Sequence, residues 1–169
     1  MVKPLDENPV ELLDHVGWRL WRISGQWKAL FEAGMRARGY GRIVNIASLA
    51  GFLPATLGST LYSAAKSYLT IFSESLALET QGSGIHVTAI CPGLTHTEFH
   101  GTDDLRPDIA RMPAWVWMDA PTVACEGYDA VMRGRPLVVT GAHNAFFAAL
   151  LRALPLWALR PIIRRVMSP

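Results

Sequence analysis

Charge is scarce in this chain. Only 18% of the 169 residues are Asp, Glu, Lys or Arg, while 50% are hydrophobic, against about a quarter charged in ordinary soluble domains. A composition this apolar excludes general disorder. Sixteen basic against fourteen acidic residues leave a formal charge of +2, too even to suggest a nucleic-acid surface, so no nucleic-acid partner is expected. Cysteine is scarcer still. Cys91 and Cys125 cannot build a disulfide framework, and neither lies in the CxxC or Cys/His clusters that zinc requires. No apolar run reaches the roughly 18 uncharged residues of a spanning helix, and the opening MVKPLDENPVELLDHV has no signal-peptide core. The expected compartment is therefore the cytoplasm, where thiols stay reduced. One absence is local: from Ala130 to Pro169 there is no acid at all, against six arginines.

Helix-period and strand-period segments alternate along the chain, without repeats. Trp27, Leu30, Phe31, Gly34 and Met35 predict a helix over 26–38, ended by basic residues and Gly39. Arg42 to Ala47 reads as a short buried strand. A long helix over 61–79 follows, with Leu61, Ala65, Tyr68, Leu69, Phe72 and Leu76 as its expected apolar face. Ile85 to Ile90 and Pro136 to Thr140 predict two further strands. Between them, Asp119 and Pro121 open a helix that Gly134 closes. This order implies an α/β doubly wound parallel sheet with helices on its faces.

Ligands of such sheets bind beyond the carboxyl ends of the strands. Ser48 to Gly51 and Pro92 to Thr97 leave those ends and should lie near one another. The long connection from Thr95 to Trp117, with Pro107, Pro113, Trp115 and Trp117, is either a substrate-covering loop or a surface excursion whose tryptophans pack on the body. His96, Glu98 and His100 alternate within it, but nothing completes a ligand set and no metal is expected. His86 reads as a packed or edge strand side chain and Cys91 as an inert buried thiol.

The strongest constellation is Tyr62-Ser63-Ala64-Ala65-Lys66 at the start of the long helix, with Ser48 fourteen positions earlier. A spacing of four puts Tyr62 and Lys66 one turn apart on one face. A phenol at its ordinary pKa of about 10 is a poor acid or base near neutrality, and a neighbouring cation favours its ionised form. Ser48 can hydrogen-bond the same substrate oxygen from the other side. The three together can move a proton to or from a carbonyl or an alcohol.

RGYGRIVNIASLAG, YSAAK and CPGLTHT, in that order, resemble the short-chain dehydrogenase/reductase family: its strand-plus-serine segment, its YxxxK motif and its PGxxxT segment. The resemblance implies a Rossmann-like fold and an NAD(P)-dependent oxidoreductase interconverting an alcohol and a carbonyl. Tyr62 would be the general acid/base and Ser48 would polarise the substrate oxygen. Lys66 would also bind the nicotinamide ribose; Tyr62, Pro92, Gly93 and Thr97 would line the cofactor.

The family's glycine-rich TGxxxGxG turn, which meets the dinucleotide pyrophosphate, has no counterpart in these 169 residues. Nor has its NNAG segment. The resemblance therefore implies the carboxyl-terminal part of such a domain over 29–141, preceded by an atypical segment over 1–28 and followed by a basic, apolar tail over 142–169. A truncated form with impaired NAD or NADP binding is the leading expectation. A catalytically silent remnant, serving as an oligomerisation or interaction module, is the alternative. The expected substrate is a small alcohol or ketone, its lipophilic character suggested by the apolar tail, and a homo-oligomer is expected where the full domain is present. For the tail itself, packing over the cleft or against a partner subunit is preferred to a membrane surface, because Pro155 and Pro161 interrupt any sustained amphipathic face.

Overall fold

A computed structural model describes residues 32–53, 60–97, 112–155, 157–159 and 161. The expected helix onset near residue 26 and the atypical segment 1–28 lie outside them. The chain divides into two units, Met1–Gly41 and Arg42–Pro169. In the first, helix α1 (Ala33–Arg38) ends at Gly39, whose φ of 62° is the left-handed cap that glycine adopts without strain. Tyr40 N–H then returns to the Met35 carbonyl at 3.2 Å.

Strand β1 (Gly41–Ile46) leads into the second unit, followed by α2 (Thr60–Glu79) and β2 (Ile85–Cys91). Two short strands come next, β3 (Thr95–His96) and β4 (Met118–Asp119), then α3 (Ala120–Met132), β5 (Leu137–Val139) and α4 (Ala142–Ala153). The main sheet has the order β1-β2-β5. Ala89, Ile90 and Cys91 pair in parallel with Leu137, Val138 and Val139. Ala47 N–H to Ile90 O and Leu49 N–H to Pro92 O ascend in step beyond β1, the parallel sense. The expected α/β class holds, as a partial Rossmann-like sheet.

Helices cover both faces of β2. Thr70 of α2 lies against Cys91 at 3.7 Å on one face. On the other, α3 comes so close that a Cβ at Gly127 would stand 1.9 Å from Ile90 Cδ1. Two apolar clusters result. Ala47, Ala89 and Cys91 pack with Leu69 and Phe52, and Ile90, Met118 and Val123 with Val138.

The face of α2 differs from its expectation. Ser63, Thr70, Ser73 and Leu76 are buried, while Leu61, Tyr68, Ile71 and Leu78 are exposed. Small polar side chains turn inward because they can bond back to the helix and across to the sheet. Ser73 Oγ donates to Leu69 O at 2.6 Å and accepts from Asn45 Nδ2 at 2.9 Å. Leu76 is buried and Leu69 packs on the core as expected, but Leu61 and Tyr68 do not, so apolar periodicity placed only part of the face.

The long connection after β2 is closed at its base. Thr95 and His96 pair in parallel with Met118 and Asp119, so the chain leaves and returns at one place. Glu98, His100 and the rest of 98–111 lie outside the described residues. Asp119 caps α3, accepting from Thr122 N–H at 2.8 Å, as its sequence position predicts.

Candidate active site

Ser48 stands at the carboxyl end of β1 in extended conformation and caps the single-turn helix Leu49–Phe52. Its Oγ accepts from Ala50 N–H at 3.2 Å. A hydroxyl has one hydrogen to donate besides its lone pairs, so Ser48 can still donate to a ligand oxygen. The segment after it is pinned twice. Leu49 N–H reaches Pro92 O at 2.8 Å, bringing together the two loops that leave the sheet. Gly51 lies so close to α2 that a Cβ there would be 2.9 Å from Ser67 N and 3.0 Å from the Lys66 carbonyl carbon.

That contact is with Lys66 and Ser67 of α2, one turn after Tyr62. Tyr62 is 41% exposed, open to a ligand. Lys66 Nζ lies 5.6 Å from the centre of its ring, within cation–π range. The same ammonium donates to Ile46 O at 2.8 Å. One of its three hydrogens is thereby used and two remain for a ligand. Ser48, Tyr62 and Lys66 thus belong to elements joined at the carboxyl end of β1.

The second loop is shaped from behind. A Cβ at Gly93 would fall 2.5 Å from Asn144 Oδ1, and buried Asn144 is held by its Nδ2 donating to Thr140 O at 2.9 Å. Gly141, with φ +79°, donates its N–H to Glu126 at 3.0 Å. Pro92 and Gly93 are half-buried, and Thr97 is exposed at the end of the described segment. Gly51 and Asn144 were not singled out from the sequence. Asn144 had one available signal, the lone amide at the start of the largely apolar α4.

Around this end of the sheet, His96 stacks on Trp117 with ring centres 4.8 Å apart, and Trp115 meets His143 edge-on at 6.0 Å. His143 Nε2 also lies 3.4 Å from Val116 O. The returning limb of the long connection is therefore held on both sides by imidazoles. Asp119, at its end, has its carboxyl held below the usual range by the backbone and side-chain hydrogen bonds from Thr122. Cys91 lies beneath the site, fully buried, and burial pushes its thiol up, the Thr70 hydrogen bond opposing this in part. A neutral buried thiol is a poor nucleophile. His86, as expected, is a packed strand residue, its Nδ1 2.9 Å from Val131 O near the end of α3.

Residues 26–107 match the family described as short chain dehydrogenase. An acetoacetyl-CoA reductase from Rhizobium meliloti (strain 1021) is 48% identical over 66 residues, 39% of this chain and 27% of that protein. A short-chain dehydrogenase from Sphingobium yanoikuyae, solved in complex with NADPH, superposes with a TM-score of 0.56 at 27% identity, over 73% of this chain and 49% of the other. A 7β-hydroxysteroid dehydrogenase gives a TM-score of 0.67 at 19% identity, over 82% of this chain and 52% of the other; that likeness is one of fold. Sequence and fold agree in supporting membership of the short-chain dehydrogenase/reductase family. Its matches span about a quarter of the Rhizobium reductase and about half of each solved dehydrogenase.

Among the described residues, no helix is long and apolar enough to cross a membrane.

Proposed function

We propose that this chain carries the proton-transfer half of an NAD(P)-dependent oxidoreductase that interconverts a carbonyl and an alcohol. Tyr62 is the general acid/base and Ser48 donates to the substrate oxygen. Bound NAD(P) supplies the hydride; Pro92, Gly93 and Thr97 line its nicotinamide end. The observation that carries the reading is Lys66 Nζ, which stands 5.6 Å from the Tyr62 ring and is fixed on the carbonyl two residues before Ser48. The donor set fits such a cofactor on that side, since two ammonium hydrogens and an exposed phenol face outward.

The pyrophosphate side is a different matter. No glycine-rich turn of the family pattern occurs in these 169 residues, and without its backbone amides the remote binding that positions a dinucleotide for transfer is weakened. The chain by itself should bind NADH and NADPH only in the millimolar range and turn over slowly. The name of the Rhizobium relative makes acetoacetyl-CoA the first substrate to try. Fluorescence titration with both cofactors tests the binding, and saturation at micromolar concentration would overturn the weak-binding claim. Nicotinamide absorbance at millimolar NADPH tests the chemistry over a panel of short ketones and ketoacyl thioesters. Turnover lost in Tyr62→Phe supports the assignment, whereas equal rates in parent and variant sink it.

A second reading, association without catalysis, is favoured by the outward face of α2, where Leu61, Ile71 and Leu78 are 86%, 62% and 74% exposed. Bulky apolar groups in such a row call for a partner surface. Sedimentation of the parent and of Ile71→Ser with Leu78→Ser distinguishes it. A monomer in both cases removes this reading and leaves the first untouched.

A further inference from the structure

Helix α4 carries Asn144, Ala148 and Arg152 at spacings of four, a row on one side of the helix. Its two ends meet the two loops that leave the sheet. The Asn144 end lies behind Gly93. A Cβ at Gly93 would fall 2.5 Å from Oδ1, 2.6 Å from Nδ2 and 2.7 Å from Cγ, so the amide is face-on to that position. Asn144 is 3% exposed, and its bond from Nδ2 to Thr140 O fixes the side chain. The backbone of Gly93 is outside the left-handed region, so the amide, and not backbone strain, excludes a side chain there. The Arg152 end lies over the other loop. Its guanidinium carbon stands 4.7 Å over the Phe52 ring, within cation–π range, and Nη2 lies 3.9 Å from Glu74 Oε1 of α2. Phe52 ends the single-turn helix that Ser48 caps. Ala148, buried midway in the row, has no bulk to hold the helix away.

The path of the Gly93 loop is already tied down. Pro92 O accepts from Leu49 N–H at 2.8 Å, Gly93 O from Thr95 Oγ1 at 3.2 Å and Leu94 O from Met118 N–H at 2.9 Å. What stands behind Gly93 then decides how far the loop advances. We propose that α4 is the positioning element of the site. Asn144 sets the reach of the Gly93 loop toward a bound nicotinamide, and Arg152 holds the Phe52 end of the loop that carries Ser48. Both act through a loop rather than on reacting atoms, and transfer rates are steep in such geometry. The inference rests on the reading of Gly93 as a nicotinamide contact and of Ser48 as the donor to the substrate oxygen.

A double-mutant cycle on the full chain tests it, with the NADPH KM and kcat measured per folded molecule and urea unfolding followed alongside. Gly93→Ala should raise the KM about ten-fold, since misplacement by an ångström costs up to about 100-fold. Asn144→Ala removes all three obstructing atoms, leaves a gap behind the loop and should raise the KM about five-fold. The two together should return to within about three-fold of the parent, because the new methyl group fills the space left by the amide, the coupling expected of residues in contact. Arg152→Met keeps the proposal open to test even where Asn144→Ala does not fold, since the arginine side chain is 52% exposed. It should lower kcat about five-fold with the NADPH KM unchanged, and Arg152→Lys should recover part of the loss by restoring a cation over the ring. Single effects that simply multiply, KM values that stay at the parent's while only the urea midpoint moves, or an Arg152→Met chain with parental kcat would overturn the proposal. Tyr62→Phe, measured in parallel, separates it from the reading beneath. If that variant turns over like the parent, or the parent does not turn over at all, the reading falls and this inference with it. If it is inactive while the cycle shows no coupling, only the inference falls.

Discussion

Lys66 donates from Nζ to the carbonyl of Ile46 at 2.8 Å, so the ammonium beside the Tyr62 ring also closes the carboxyl end of β1. A free lysine side chain gives up as much as about 2 kcal/mol of rotamer entropy when it is ordered. Here the ordering is done by a strand-end carbonyl before any ligand arrives, and Gly51 clamps the neighbouring loop onto the same helical turn. Strand, loop and helix converge on one cation.

Removing that cation should separate chemistry from stability. The hydrogen bond is exposed, and Lys66→Met returns the Ile46 carbonyl to water, so urea unfolding should change by less than about 1 kcal/mol. Reduction of a carbonyl substrate should fall about 100-fold or more, since general acid–base catalysis contributes effects of that size. Lys66→Arg should not restore it, because a planar guanidinium fork does not reproduce the compact ammonium. A loss of several kcal/mol in Lys66→Met would instead make the lysine a structural residue.

Gly51→Ala should behave in the contrary way. The added carbon would sit 2.9 Å and 3.0 Å from backbone atoms of Ser67 and Lys66, which cannot rotate aside. Overpacking of this kind costs about 1–3 kcal/mol, and the displaced loop carries Ser48 with it. Gly82→Ala is the control: its φ of +77° is strained for alanine, yet nothing lies within 4 Å. Both variants should lower the urea midpoint, but only Gly51→Ala should also reduce turnover per folded molecule.

Order and type of the elements were readable from the sequence because each carries its own punctuation. Gly39 stops α1, Asp119 and Pro121 start α3, and the β-branched run Arg42 to Ala47 can be little else than a strand. The pairing of Tyr62 with Lys66 was readable too, since a spacing of four fixes neighbours on any helix. Contacts between distant segments were not. The Ile46 carbonyl has no side-chain signature, and the closeness of Gly51 to Ser67 depends on how a loop lands on a helix sixteen residues later. The face of α2 was only partly placed, Leu69 and Leu76 correctly, because Thr70 and Ser73 satisfy their hydroxyls locally, and burial is then governed by fit to the sheet.

The two cysteines should react in sequence. Cys125 is exposed on α3 and Cys91 is fully buried, its thiol pushed up by burial. A thiolate is the reactive form, so both access and ionisation protect Cys91. Titration with a chromogenic disulfide at neutral pH should modify one thiol per chain promptly, and none in Cys125→Ser. The second should appear only with urea, at the unfolding midpoint. Prompt modification of both in the native chain would mean that α2 does not seal β2.

Asp119 gives a dependence on pH whose sign can be worked out. Hydrogen bonds from Thr122 hold its folded carboxyl below the ordinary 3.8. Its contribution is therefore fully present above the unfolded value and is lost as pH falls through the folded one. Asp119→Asn keeps a neutral capping oxygen but removes the charge at the amino end of α3. Near neutrality it should unfold at lower urea than the parent, and Asp119→Ala at lower urea still. As the medium is taken below about pH 4, where the parent carboxylate takes up its proton, the gap between the parent and Asp119→Asn should close, while part of the gap to Asp119→Ala persists. A gap between parent and Asp119→Asn that stays constant across the acid range would show that the cap acts through shape alone, with the helix dipole contributing nothing.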